Sequence, residues 1–294
     1  MPKEVCREIL YPNYFQVFES DHVVFEQKSK HQSLIIFDSE AYGRVLALDN
    51  IVQCTERDQY MYAEMMAHVP LFSHPCPRNI LIIGGGDGAV LQEVLKHQLV
   101  NKVTMVEIDE SVISVCREYL PSLSGQAFDD PRFNVVIDDG LRYLKRTFHG
   151  YDVIIVDSTD PNEIADTLFS EPFYQACREQ LNPNGILVTQ NSVSLLQQDN
   201  IKRTHDRMGK VFEHNGFYLV NVPSYIGGFM CLAWGSNRDI STSSPALSAR
   251  YAMNPVSCQY YNESIHEASF VWPQYMVTML EKQKQEKEDD SQRN

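Results

Sequence analysis

Apolar positions along the chain fall into two regimes. Up to about residue 65 they come in short runs rich in β-branched and aromatic residues, HVVFEQKSKHQSLIIF and then YGRVLALDNIVQCT, separated by turns. Such runs predict strands and set off residues 1–65 as an N-terminal β-strand domain. RDQYMYAEMMAHVPLF follows with Tyr60, Met61, Glu64, Met65 and His68 at helical spacing, predicting a helix ahead of Pro70. From Pro77 onward apolar runs alternate with helical spacing: NILIIGG, a helix over 89–97, KVTMVEID, a helix over 110–119, FNVVIDD, a short helix over 140–147, YDVIIVDS, a helix over 171–180, GILVTQ and a helix from about 198 to 214. FYLVNVP and FMCLAWG then read as a hairpin. Strands separated by helices predict an α/β fold with a parallel, doubly wound sheet over residues 66–280, and such sheets bind ligands at the carboxyl ends of their strands. Residues 281–294, EKQKQEKEDDSQRN, are of low complexity and are expected to be disordered.

The strand ends carry the candidate chemistry. Gly84, Gly86 and Gly88 follow the first strand of the α/β part, Glu107 and Asp109 end the second, Asp138 and Asp139 the third, Asp157 and Asp160 the fourth. A single aspartate at a strand end is ordinarily a helix cap or a turn former. A row of carboxylates on one edge of one sheet needs a further cause. The glycine string fits two readings, a dinucleotide fingerprint and a methyltransferase-like nucleoside site, and Glu107 would bond ribose hydroxyls in either. Asp87, inside the glycine turn, separates them. It would repel a pyrophosphate and attract a nucleoside that carries a positive amine.

Composition sharpens that reading. The chain has 294 residues with 43% hydrophobic and 11% aromatic residues, enough for a proper core. Its formal net charge is −14, from 25 basic and 39 acidic residues, and the terminal segment supplies little of it. An acidic folded body disfavours nucleic acid and draws in small cations. No stretch of 18 apolar residues exists and the first residues lack an apolar h-region, so neither a membrane span nor secretion is expected. Seven scattered cysteines without a CxxC pair read as free thiols of a cytoplasmic protein, and no metal site is expected.

HQSLIIF, GRVLALDNIVQCTERD, LIIGGGDGAVLQEV, VEID, DDPRF, VIDDG, DVIIVDSTDP and PSYIGG, spread from about residue 8 to about residue 275, together resemble the spermidine synthases, the polyamine aminopropyltransferases. The resemblance implies a Rossmann-like, methyltransferase-type parallel sheet with a small N-terminal all-β domain, assembled as a homodimer or homotetramer. It implies transfer of an aminopropyl group from decarboxylated S-adenosylmethionine, a co-substrate, to putrescine, with no other cofactor. Carried over residue by residue, it makes Glu107 the ribose ligand, Asp139 and Gly140 the adenine contacts, and Gln32 a contact at the sulfur end. Asp87 would hold the donor's ammonium. Asp157 would be the proton acceptor, within an amine-binding segment of Asp157, Ser158, Thr159 and Asp160 that Tyr62 and Tyr225 complete. An alkylammonium has no free lone pair, so such a site must take a proton from one nitrogen while gripping the other.

Two positions depart from the family pattern. Ala63 stands where the family has Gln or His. After Asp160-Pro161 the chain reads Asn162-Glu163-Ile164-Ala165-Asp166 in place of a hydrophobe followed by Gly-Pro-Ala, with Ile164 at the position that contacts the nucleoside. Spacing to Leu168-Phe169 is preserved, so a lid over the site is expected. The departures leave cadaverine, agmatine or spermidine open as acceptors. An amine N-methyltransferase using S-adenosylmethionine is a further alternative, but it would need a cation for the methionine carboxylate, and the glycine turn has no Lys or Arg.

Overall fold

The β-rich start of the chain forms β1 (Lys3–Tyr11), β2 (Tyr14–Ser20), β3 (Val23–Lys28), β4 (Ser33–Ser39), β5 (Gly43–Leu48) and β6 (Ile51–Thr55). β1 and β2 make a two-stranded antiparallel ribbon, and β3 to β6 a four-stranded antiparallel meander. These belong to a computed structural model that describes residues 3–146, 150–159, 166–241 and 245–293.

Next comes α1 (Gln59–Ser73), which runs through the expected boundary near residue 65 and carries Pro70 inside it rather than ending before it. The helix is buried on nearly all sides, so packing compensates for the hydrogen bond that Pro70 cannot make. The chain continues as β7 (Asn79–Gly84), α2 (Ala89–Leu95), β8 (Lys102–Glu107), α3 (Glu110–Tyr119), α4 (Pro121–Ser124), β9 (Phe133–Ile137), α5 (Gly140–Arg146) and β10 (Tyr151–Asp157). α6 (Glu171–Gln180), β11 (Leu181–Val193), α7 (Gln198–Gly209), β12 (His214–Asn221) and β13 (Phe229–Ser236) follow, and α8 (Pro245–Met253), α9 (Glu263–Ser269) and α10 (Gln274–Arg293) close the chain.

Seven strands share one sheet in the order β12-β13-β11-β10-β7-β8-β9. β7 to β11 pair in parallel, and β13 is inserted antiparallel between β11 and β12, the hairpin that the apolar runs predict. The order reverses at β7, with β8 on one flank and β10 on the other, so the ligand crevice belongs above β7 and β10. One apolar core on one face of the sheet takes in Leu34, Ile36 and Leu46 of the meander beside Ile80, Ile82 and Val153. The small β region is thus cemented to the sheet, which holds it over the strand ends. A second core, with Leu81, Ile154 and Phe173, fills the opposite face.

The terminal segment is a correction. Residues from Glu281 are not irregular but continue α10 to Arg293. Glu, Lys and Gln are strong helix formers, and Gln283 ties the helix to α7 by donating to the Lys202 carbonyl and, at 2.7 Å, to Asp206 Oδ2.

Candidate active site

The turn after β7 is built around the chain of β10. Gly84 has φ +81°, and a Cβ there would lie 2.1 Å from the Asp157 carbonyl oxygen. Gly85 N–H donates to that same oxygen at 2.8 Å. The glycines therefore let two strand ends close on each other and bring Asp157 into the turn. Asp87 points back at the turn, its Oδ1 accepting Ala89 N–H at 2.9 Å, and Gly88 at φ +81° starts α2.

Parallel register sets the other carboxylates beside these two. Asp157 pairs with Gly84 across β10 and β7, and Glu107 with Ile137 across β8 and β9. Glu107 is buried, and its Oε1 accepts Asp109 N–H at 2.9 Å. Asp139 Oδ1 accepts Arg142 N–H at 2.8 Å at the start of α5, and a Cβ on Gly140 would meet Ile83 at 2.6 Å. Ser158 and Thr159 line the same cavity, the Ser158 hydroxyl donating to the Thr159 carbonyl at 3.2 Å.

The facing wall comes from elements far away in sequence. Tyr62, on α1, donates its hydroxyl to Asp157 Oδ1 at 2.8 Å. Tyr225, from the loop after β12, sets its ring edge-on to Tyr62 at 6.0 Å between centroids. Its hydroxyl donates to the Gln53 carbonyl at 2.6 Å. Gln32, in the β3–β4 loop, reaches the cavity and donates to Asp109 Oδ2 at 3.3 Å.

The electrostatics are lopsided. Glu8, Asp87, Glu107, Asp138, Asp139 and Asp157 line the cavity, and among its described lining residues there is no Lys, Arg or His. Burial, and then the neighbouring Asp87 charge, push Asp157 up to about 8. Burial pushes Glu107 up to about 7 and raises Asp87 as well. Tyr62 is held well above its ordinary value by burial and then by Asp157, so its hydroxyl stays protonated and donating. Such a cavity lowers its own free energy by taking in positive charge.

The structure gathers Gln32, Tyr62, Asp87, Glu107, Asp139, Gly140, Asp157, Ser158, Thr159 and Tyr225 around one cavity. Asp160 and Ile164, with Asn162, Glu163 and Ala165 of the segment that departs from the family pattern, lie outside the described residues. Leu168 lines the cavity, and Ala63 is packed into the core beside Tyr62. Sequence reading missed Glu8, which reaches the cavity from β1 while accepting Val52 N–H at 2.8 Å. It also missed Cys54, which lines the cavity and feels the Asp87 charge. Asp109, a strand-end acid, takes the ordinary role of capping α3 and also accepts the Ser29 hydroxyl at 2.7 Å, tying the β3–β4 loop to the sheet. Burial opposes its ionisation, but hydrogen bonds from Ser111 and Ser29 prevail and hold it below the usual carboxylate range. An acid at the start of a helix was the available signal for Asp109; nothing local marks Glu8.

Sheet order and an acid-lined cavity at the switch point define a Rossmann-like protein of the methyltransferase type. Comparison narrows this further. The spermidine synthase tetramerisation domain matches residues 5–56, and the spermine/spermidine synthase domain matches residues 59–244. A polyamine aminopropyltransferase of Salmonella paratyphi B is 47% identical over 278 residues, spanning 94% of this chain and 97% of the relative. One from Klebsiella pneumoniae is 47% identical over 275 residues, 93% and 96% of the two chains. A crystal structure of spermidine synthase in complex with the transition state analogue AdoDATO superposes with a TM-score of 0.86 at 37% identity, covering 91% of each chain. That of spermidine synthase from Thermotoga maritima gives 0.84 at 36% identity, covering 91% and 90%. The chain belongs to the spermine/spermidine synthase family and is a transferase of that kind.

Proposed function

We propose that the chain transfers the aminopropyl group of decarboxylated S-adenosylmethionine to putrescine, giving spermidine and 5′-methylthioadenosine. The observation that carries this reading is the cavity itself, carboxylates on one side, two tyrosines on the other, and no basic side chain among its described lining. A sulfonium nucleoside with a free ammonium and a diamine are both cationic, and each finds acids to pair with. The carboxylate of S-adenosylmethionine finds no cation among the described lining residues, which disfavours the N-methyltransferase alternative.

In this reading Glu107 accepts the ribose hydroxyls, Asp139 and Gly140 take the adenine, Gln32 meets the sulfur end and Asp87 holds the aminopropyl ammonium. The acceptor lies along Tyr62, Tyr225 and the Asp157–Thr159 strand end. One nitrogen loses a proton to Asp157, held in place by the Tyr62 hydroxyl. Its lone pair then attacks the carbon next to the sulfonium, the C–S bond breaks, and sulfur keeps the electron pair as a neutral thioether. A carboxylate pushed up to about 8 is a far better proton acceptor than an ordinary one. The sulfonium is already a good leaving group, so positioning and water exclusion supply the rest. No cofactor beyond the two substrates enters this scheme.

The exposed apolar residues Ile9, Tyr14, Phe15 and Val17 on the β1–β2 ribbon support assembly into a homo-oligomer, in the region that matches the tetramerisation domain. Among the described residues no helix is long and apolar enough to cross a membrane. Incubation with each nucleoside and each of putrescine, cadaverine, agmatine and spermidine, with mass spectrometry of the product amines, tests the function. Spermidine formed only from the decarboxylated donor supports the reading, and a methylated amine overturns it.

A further inference from the structure

Asp58 sits at the N-terminal cap of α1, where an aspartate ordinarily accepts the helix's own free N–H groups. Its side chain makes no such bond. Instead Oδ2 accepts Ser224 N–H at 2.7 Å, and Oδ1 accepts the hydroxyls of Thr55 at 2.7 Å and Ser224 at 3.1 Å. A buried carboxylate that forgoes its local role is satisfied by a loop 166 residues away. That loop carries Tyr225. The next residue's hydroxyl is fixed to the Gln53 carbonyl, and Gln16 of β2 donates to the Ser224 carbonyl at 2.9 Å. Asp58 thus joins three things at one point, the end of β6, the start of α1 four residues before Tyr62, and the loop of Tyr225.

We propose that Asp58 is a positioning residue of the acceptor site, which sets Tyr225 against Tyr62 and so determines how well the amine is held. This rests on the aminopropyl-transfer reading. The donor's proposed acidic contacts, Glu107, Asp139 and Asp87, hang on β7, β8 and β9 and the turns after them, and Gln32 on the β3–β4 loop; the Asp58 side chain bonds to none of these. Loss of the Asp58 bonds should therefore separate the two substrates.

The test compares wild type with Asp58→Asn and Ser224→Ala, measuring KM for putrescine, kcat, and the dissociation constant of decarboxylated S-adenosylmethionine by calorimetry. Asp58→Asn offers one acceptor oxygen where two were used, and its amide opposes a donor. Putrescine KM should rise about tenfold or more, the effect of a lost bond to a charged group, with donor affinity within about twofold. Ser224→Ala removes only the hydroxyl and keeps the N–H bond, so a rise of roughly threefold is expected, and it provides a readout if Asp58→Asn does not fold. A merely structural role would reduce kcat through the folded fraction and leave KM alone. An unchanged putrescine KM in the folded variants, or donor affinity lost in step with it, overturns the proposal. Failure of wild type to make spermidine would instead remove the function on which it rests.

Discussion

Replacing Asp87 by Asn should collapse the discrimination between the two nucleosides. Asn keeps an Oδ1 to accept Ala89 N–H, so the start of α2 survives, and only the charge is lost. On the proposed reading the decarboxylated donor gains an ammonium–carboxylate pair in wild type, while S-adenosylmethionine would place its own carboxylate near Asp87 with no basic residue among the described lining to meet it. For unit charges about 5 Å apart at an effective dielectric constant of about 20, each such term is on the order of 3 kcal/mol. One term alone corresponds to roughly 200-fold in affinity. Wild type should therefore prefer the decarboxylated nucleoside by at least about two orders of magnitude, and Asp87→Asn by less than about tenfold. Titration calorimetry with both nucleosides in both proteins reads the ratio. Equal affinities in wild type, or a ratio that survives Asp87→Asn, would refute the pairing. The variant also removes a charge that raises Asp157, so the acid limb of its residual pH profile should move to lower pH.

Asp157→Asn should lower turnover by at least ~100-fold, the smaller end of general-base loss, while donor affinity holds; near-normal turnover would assign the proton to another acceptor. Native Asp157 at about 8 and Glu107 at about 7 keep protons that the unfolded chain has lost, so the ligand-free protein should lose stability as pH rises from about 4 to about 8. Asp157→Asn should accordingly melt at least about 2 °C above wild type at pH 9, and a lower Tm there would contradict the assigned shift. Tyr62→Phe removes the donor that lowers Asp157, so kcat/KM should fall about tenfold and its acid limb should move up in pH, measured as a rate profile between pH 6 and 10. Gly84→Ala drives a Cβ to 2.1 Å from the Asp157 carbonyl in a left-handed conformation, and should cost roughly 2 kcal/mol or more by denaturant melts; a neutral effect would mean the turn is not packed against β10.

The segment 162–166, which departs from the family pattern, is the place where specificity is most open to experiment. Restoring the family residues with Asn162→Ile, Glu163→Gly and Ile164→Pro should change kcat/KM ratios among putrescine, cadaverine, agmatine and spermidine by about two- to fivefold, the worth of one weak charge pair. Identical ratios would leave Glu163 without a role in acceptor choice.

Much of this protein was legible along the chain because strand and helix are periodic, and periodicity is local. The helices Glu110–Tyr119 and Glu171–Gln180 fall where apolar spacing puts them, and Glu107, Asp139 and Asp157 fall at strand ends because the apolar run stops there. Parallel strands separated by helices then bring those ends to one edge, so the row of acids follows from order alone. Contacts across that edge do not. Tyr62 meets Asp157 over 95 residues of sequence and Asp58 meets Ser224 over 166. Nothing near Glu8 says that β1 passes the cavity, and no pattern says that its described lining lacks a basic side chain. The raised Asp157 and Glu107 exist only once burial has removed water from them and set like charges together. Pro70 shows the same division, for it looks like a break in local pattern and is helical because the elements packed around α1 hold it so. Local sequence set the elements and the chemistry available at their ends; tertiary packing decided which groups face each other without water between them, and that sets their charge.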